Sequence, residues 1–516
     1  MFIYSVSKFF NAVQKDFIID WLEMYGKTCG FYKKTSEFQQ KLFQSGIETE
    51  DHIINLLKQK FLPQLSQDVS DGTCQKFQNI PHIFTDLTHL KFQNFTHRDK
   101  TLKSIQSIDK PFMIYQGLLC GSDEFGNKRP YGIPDLIMRK DILHTLMNKP
   151  VEQNDENDYV IVDIKKSLKL NKNNTVSKST NNYKWLEFQL CIYEKFLSEE
   201  LKRPPQSVYV MSIDDTNNIL IGKIQYVEQD IKQHIDYLKQ LKSDGDKWIP
   251  YPKPTNNYMY PNMKNTYDFV WREAKLDIAR RIGELTLLPY VSYEVRTELW
   301  KHDIKSYKDE KCIDILKTIN KVPSYVQEII KANQDIGLEI NAEKVKTELE
   351  EQISNRKLIF VDIETSQKGQ AFLSCIYNND SKQHTHFYCN KSEMMVEGVN
   401  KVLQETRNLL KQYDSNGYCV VFYAGQEEKI LDIENGVDLY KILRKHNYAK
   451  SGVFSYQLKE IYNNTFRRTI ETKILNGLEA MNKFEEDDEK HKNDLCEYVK
   501  KDVDIMVKLV SRFLNY

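Results

Sequence analysis

The run Tyr159-Val-Ile-Val-Asp-Ile-Lys-Lys-Ser167 constrains this chain more than any other stretch. It is apolar and rich in β-branched residues, so it reads as a strand, in which successive side chains point to opposite faces. Tyr159, Ile161, Asp163 and Lys165 then share one face, and Val160, Val162 and Ile164 share the other. One face is plain core. The other ends in a carboxylate and an ammonium whose Cα atoms lie ~7 Å apart, two strand rises. Buried charges are costly unless they are paired or bound to a metal. Such a strand end is either a structural ion pair or a catalytic metal site.

A second run obeys the same logic. Leu358-Ile-Phe-Val-Asp-Ile-Glu-Thr365 is the continuous apolar segment expected of a strand buried on both faces. Asp362 and Glu364 share a face, and two like charges on a core strand are unfavourable unless cations neutralise them. A final helix, expected from about residue 491, places Leu495, Tyr498, Asp502, Ile505 and Leu509 on one stripe. Asp502 takes a position the pattern wants apolar, while Asp504 is expected to point to solvent. A carboxylate on that inward face, opposite Asp362 and Glu364, is what a two-metal site requires.

At 516 residues the chain is expected to form two or three domains. Lys+Arg and Asp+Glu both number 73, so contact with nucleic acid must come from local patches and not from global charge. The nine cysteines form no CxxC pair, which removes zinc-ribbon and clustered iron–sulfur spacings and fits a reducing compartment. No apolar run reaches the ~18 residues of a membrane span, and the first residues lack a signal-peptide core. The expectation is an intracellular, soluble protein of cytoplasm or nucleus with no membrane partner.

Residues 1 to about 65 read as helical, with Glu50 in the first turn of a second helix. Strands are expected over 112–118 and 131–138, with Pro134-Asp135 in the second, where a proline suits an edge or a bulge. From Lys165 to Leu186 there is no acidic residue but six lysines, at 165, 166, 169, 172, 178 and 184. Its Asn and Ser content reads as solvated and mobile, and the alternative is contact with phosphates. A helix over about 184–200 carries the stripe Trp185, Gln189, Tyr193, Leu197, and strands follow over 206–212 and 218–225. Residues 226–354 read as a helical connector with a Pro/Asn/Tyr-rich linker at 249–266.

Glu50, Pro134-Asp135, Asp163-Ile-Lys165 and Gln189-x-x-x-Tyr193 occur in that order on helix, strand, strand and helix. Together they resemble the RecB-like branch of the PD-(D/E)XK nuclease superfamily, over about residues 1–225. The resemblance implies that Asp135 and Asp163 are metal ligands, with Glu50 helping through water. Lys165 would be the catalytic lysine, and Gln189 and Tyr193 the QxxxY motif. Asp362-x-Glu364 and Tyr498-x-x-x-Asp502 resemble the tyrosine-type DEDD exonucleases of RNase H-like fold, over about 355–516. There the carboxylates hold the metals and the tyrosine positions water. The second motif departs from that pattern: Tyr423-Ala-Gly-Gln-Glu-Glu428 stands where an Asp is expected. Asp432 and Asp438 are later candidates, but Glu428 is the expected fourth carboxylate, since Asp438 is better explained as the N-cap of a helix starting at Leu439.

The fold expected is thus α/β and multidomain: a PD-(D/E)XK restriction-endonuclease-like domain (1–225), a helical connector (226–354) and an RNase H-like domain (355–516). The function implied is Mg²⁺- or Mn²⁺-dependent hydrolysis of DNA in repair, recombination or replication. Two alternatives stay open: a scaffold that binds nucleic acid without cutting it, and an RNA-processing exonuclease acting through the C-terminal domain.

Overall fold

A computed structural model describes residues 2–34, 44, 46–59, 84–87, 95–107, 110–121, 129–152, 155–180, 182–214, 216–366, 369–396, 401–434, 436–468, 473–474 and 476–515. Phe61 of the expected second helix, and most of the loop expected between 121 and 130, lie outside these residues. The chain is mixed α/β and divides into two compact units, Met1–Ile278 and Ala279–Tyr516.

Among the described residues of the first unit, the main sheet runs β2 (Phe84–Asp86), β3 (Met113–Tyr115), β6 (Leu136–Arg139), β7 (Tyr159–Ile164), β8 (Val208–Ile213), β9 (Ile219–Ile224). β6 is antiparallel to both β3 and β7, whereas β2 runs parallel to β3 and β8 runs parallel to β7. The connection from β7 to β8 is the helix α2 (Tyr183–Leu201), while the helix α1 spans 46–59. Every residue of β7 is buried, and the alternation holds. Tyr159 and Ile161 join the core formed with Phe188, Ile192 and Tyr193 of α2. Val160, Val162 and Ile164 join the opposite core with Ile53, Ile54 and Leu57 of α1. A period-two pattern on a two-sided strand thus seats one helix on each face.

Several expectations are corrected here. The first residues are not wholly helical, because β1 (Phe2–Ser5) pairs in parallel with β5 (Arg129–Gly132). Pro134 is not on an edge. It lies in the break between β5 and β6, and β6 is internal to the sheet. The lysine-rich segment is ordered: Ser177 N donates to Lys169 O (2.8 Å), and Val176 N donates to Lys223 O of β9 (3.0 Å). Val176 is buried, and Gly222 leaves the space that Leu170 and Val176 occupy.

Residues 226–354 do not stand as a separate connector. Ile231 and Ile235 belong to the first unit's core, whereas the apolar residues from Leu285 to Ile353 belong to the second's. The stretch 249–266 is not a linker either, since Met259, Tyr260, Asn262, Met263 and Asn265 are buried. Its anchor is Lys275, which is fully buried. The ammonium lies 2.9 Å from Asp16 Oδ2 and 2.5 Å from Asp268 Oδ2, and donates to the carbonyls of Asn262 (3.1 Å) and Asn265 (3.0 Å). Removing one partner from a buried ion cluster leaves charge uncompensated. Lys275→Met is therefore expected to cost about 3–5 kcal/mol, read as a lower urea midpoint of the full chain's first transition.

In the second unit the main sheet runs β13 (Gln383–Tyr388), β12 (Ala371–Asn378), β11 (Lys357–Thr365), β14 (Tyr418–Phe422), β15 (Val437–Asp438). β11 is antiparallel to β12 and parallel to β14. Ile359, Val361 and Ile363 pack toward Val402 and Leu410 of the helix Lys401–Ser415. Leu358 and Phe360 join the core containing Leu495, Val499, Val503 and Met506. These last four lie on the final helix, which begins at Gly477, well before the expected residue 491, and ends at Phe513.

Candidate metal centres

In the first unit, strand order delivers the charged residues to one end of β6 and β7. Asp135 stands immediately before β6, and its Oδ2 accepts from Ile164 N (2.7 Å), which ties the end of β7 to the start of β6. Asp163 is buried and ion-paired with the half-exposed Lys165, whose ammonium also donates to Ile164 O (3.2 Å). Glu50 comes from α1, one turn in and not in its first turn, and accepts from Gln116 Nε2 (2.9 Å). Burial pushes the Asp135 carboxyl up. The Asp163 charge adds to this, Lys165 opposes it, and Glu50 adds a smaller push. Lys165 is lowered by burial, but the charges of Asp163, Asp135 and Glu50 outweigh that and hold it protonated. Gln189 Nε2 donates to Tyr193 OH (2.7 Å), so this glutamine is spent within its own helix. The tyrosine ring is buried against Gly132, where an added Cβ would sit 2.0 Å from Cε1. Any side chain at 132 would expel the ring.

In the second unit, the charged end of β11 meets the last helix at Asp502, well inside that helix. Asp362, Glu364 and Asp502 each offer a carboxylate oxygen, and these oxygens lie within 4.8 Å of one another. Among the described residues this is the one group of three or more metal-type side chains that meets within that distance. Leu495, Tyr498, Asp502, Ile505 and Leu509 are all buried, as the stripe predicts. Burial pushes Asp362 well up, reinforced by Asp502, Glu364 and Glu427. Glu364 is pushed up to about 8 by burial and by Asp502, against Lys459, with Glu427 adding to the rise. Burial raises Asp502 too, opposed by Lys459 and by a hydrogen bond from Tyr498.

Neither Glu427 nor Glu428, at the expected second motif, joins the converging trio. Glu428 turns to an ion pair with Lys441 on the neighbouring helix Leu439–Lys445. Glu427 is the neighbour whose charge acts on Asp362 and Glu364, and its Oε2 is buried without a hydrogen-bond partner. Burial lifts it to about 7, against a hydrogen bond from its own backbone and with Asp438 adding to the rise. Both glutamates sit in the first turn of the short helix α3 (Gln426–Leu431). The turn before it holds Ala424 at φ +73°, a left-handed conformation that a Cβ disfavours. Asp438 caps the helix starting at Leu439, as expected, accepting from Lys441 N (3.1 Å), and it also accepts from Ala424 N (3.2 Å). Asp504 points away from that face, as expected, with its side chain 37% exposed, and it pairs with His384 Nε2 (2.9 Å).

Lys459 is the other residue that sequence reasoning missed. It lies on the helix α4 (Leu458–Phe466), with its ammonium 3.1 Å from Asp502 Oδ1 and 4.1 Å from the centre of the Tyr498 ring. No sequence signal marks it, because a lysine early in an amphipathic helix looks like ordinary surface. The donors gathered at both centres are carboxylate oxygens, a hard set that suits Mg²⁺ or Mn²⁺ over softer metals. In the second unit the raised acids and the unpartnered Glu427 oxygen also fit a cation. No helix of the described chain is long and apolar enough to cross a membrane. No protein-family model matches the chain, and no curated protein matches it.

Proposed function

We propose that the chain is a divalent-metal-dependent nuclease hydrolysing phosphodiester bonds of nucleic acid, DNA before RNA. The observation that carries this reading is the convergence of Asp362, Glu364 and Asp502 within 4.8 Å. Three acids held this close repel one another, and neutral side chains would serve the fold better unless a cation joins them. A bound Mg²⁺ or Mn²⁺ would polarise the phosphate and acidify an attacking water.

Asp362, Glu364 and Asp502 would hold the ion in the second unit, with Glu427 as the fourth acid. Tyr498, hydrogen-bonded to Asp502, would orient the water. In the first unit Asp135 and Asp163 would hold the ion. Lys165, kept protonated by those acids, would face the charge that builds on the phosphoryl oxygens. Sheet order supports the assignment of each unit. The antiparallel β3, β6 and β7, then a helix and a parallel β8, fit a PD-(D/E)XK nuclease. The antiparallel β13, β12 and β11 beside the parallel β14 and β15 fit an RNase H-like exonuclease.

The test is the purified full chain with Mn²⁺ on end-labelled single- and double-stranded DNA and RNA. Chelator-sensitive shortening of DNA is expected. Binding without hydrolysis on all four substrates would instead make the chain a nucleic-acid-binding scaffold.

A further inference from the structure

Lys459 is placed to act on the reaction and not merely on the fold. Its ammonium meets the one helix-borne acid of the trio at 3.1 Å, and the flat face of Tyr498 backs it at 4.1 Å. The Asp502 side chain is only 12% exposed, so this pair is partly withdrawn from water. Its charge also reaches Glu364 on β11. Two independent elements, α4 and the last helix, therefore hold a cation against the acids that β11 presents.

Ions in two-metal centres stand ~3.5–4 Å apart and share carboxylates. The lysine ammonium 3.1 Å from Asp502 Oδ1 already places one cation on that carboxylate. Charge agrees. Three ionised acids carry three negative charges, and one divalent cation with one ammonium balances them. A second divalent ion would leave the group positive even with Glu427 ionised.

We propose that Lys459 is the resident cation of this centre, standing in place of a second metal, so that the centre takes a single divalent ion. This rests on the metal-dependent reading above. The experiment uses the full chain carrying Asp135→Asn and Asp163→Asn, which disables the other centre, titrated with Mn²⁺. Bound ions are counted by calorimetry, and their coupling is read by electron paramagnetic resonance. With Lys459 present, one Mn²⁺ with an isolated six-line signal is expected. Lys459→Met and Lys459→Gln should each take two spin-coupled ions, and Lys459→Arg should return the count to one.

Two coupled ions with Lys459 in place would overturn the proposal, and so would a count of one in both neutral variants. Either result leaves the metal-dependent reading intact. Absence of any Mn²⁺ binding that Asp362→Asn can remove would overturn that reading along with the proposal. Near-ultraviolet circular dichroism checks that each variant keeps its packing.

Discussion

In chelator, the thermal midpoint of the second unit is expected to fall by about 10 °C as pH is raised from 5 to 9. The sign follows from proton linkage. Glu364 holds its proton to about 8 in the folded chain, against 4.5 for a free glutamate. Between those values the native state binds more protons than the unfolded state, so stability falls as pH rises. It is highest below about pH 5 and fully reduced above about pH 8. A gap from 4.5 to 8 is an upper bound of about 5 kcal/mol, at roughly 1.4 kcal/mol per unit. Solvent reaches the group in part, which brings the expectation to about 3 kcal/mol, or about 10 °C for a unit of this size.

Burial and the negative charge of Asp502 cause the rise, so two changes should flatten the curve. Glu364→Gln removes the titrating group. Saturating Mn²⁺ neutralises the repulsion, and at a hundred times its dissociation constant it adds about 2.7 kcal/mol. Scanning calorimetry checks this on the transition that Glu364→Gln displaces. A midpoint that rises with pH in chelator would show that the acids are stabilised by something other than protons or metal.

The largest expected effect on activity comes from separating the two centres. Asp163→Asn or Lys165→Met is expected to lower the first centre's cleavage by at least about 100-fold. Little stability should be lost in Asp163→Asn, which removes one of two repelling acids and leaves Lys165 with its side chain 43% exposed to water. The Mn²⁺-dependent hydrolysis that remains belongs to the second centre. It should vanish with Asp362→Asn or Asp502→Asn, whose oxygens belong to the converging trio. Tyr498→Phe should slow it about tenfold, because in the proposed centre the tyrosine would orient water and would not bind the ion.

The decisive contrast is between adjacent glutamates. Glu427→Gln should slow this residual activity by about tenfold or more, while Glu428→Gln should leave it unchanged, because Glu428 is spent on Lys441. Denaturing gels of end-labelled single strands measure both. The reverse result would return the fourth carboxylate to Glu428 and require the turn at Ala424 to move.

What the sequence determined by itself lies in its periodic segments. The period of two at Tyr159–Ile164 and at Leu358–Thr365 specified strands buried on both faces and placed Asp163, Asp362 and Glu364 at strand ends. The helical stripe from Leu495 to Leu509 put Asp502 inward, and the preference of Asp for an N-cap assigned Asp438. These readings depend on residues a few positions apart, whose relative directions are set by local backbone geometry.

The tertiary structure decided what depends on rotation or on distant partners. Residues 427 and 428 differ by about 100° around a helix, so the turn at Ala424 selects which glutamate faces Asp362. Lys459 reaches Asp502 because α4 packs on the last helix, and that meeting has no signature in either segment. The expected connector dissolved for a similar reason. Lys275 finds Asp16 across more than 250 residues of chain, and burying that charge draws 249–266 into the first unit. Long-range burial and charge pairing are properties of the folded arrangement, and no window of sequence contains them.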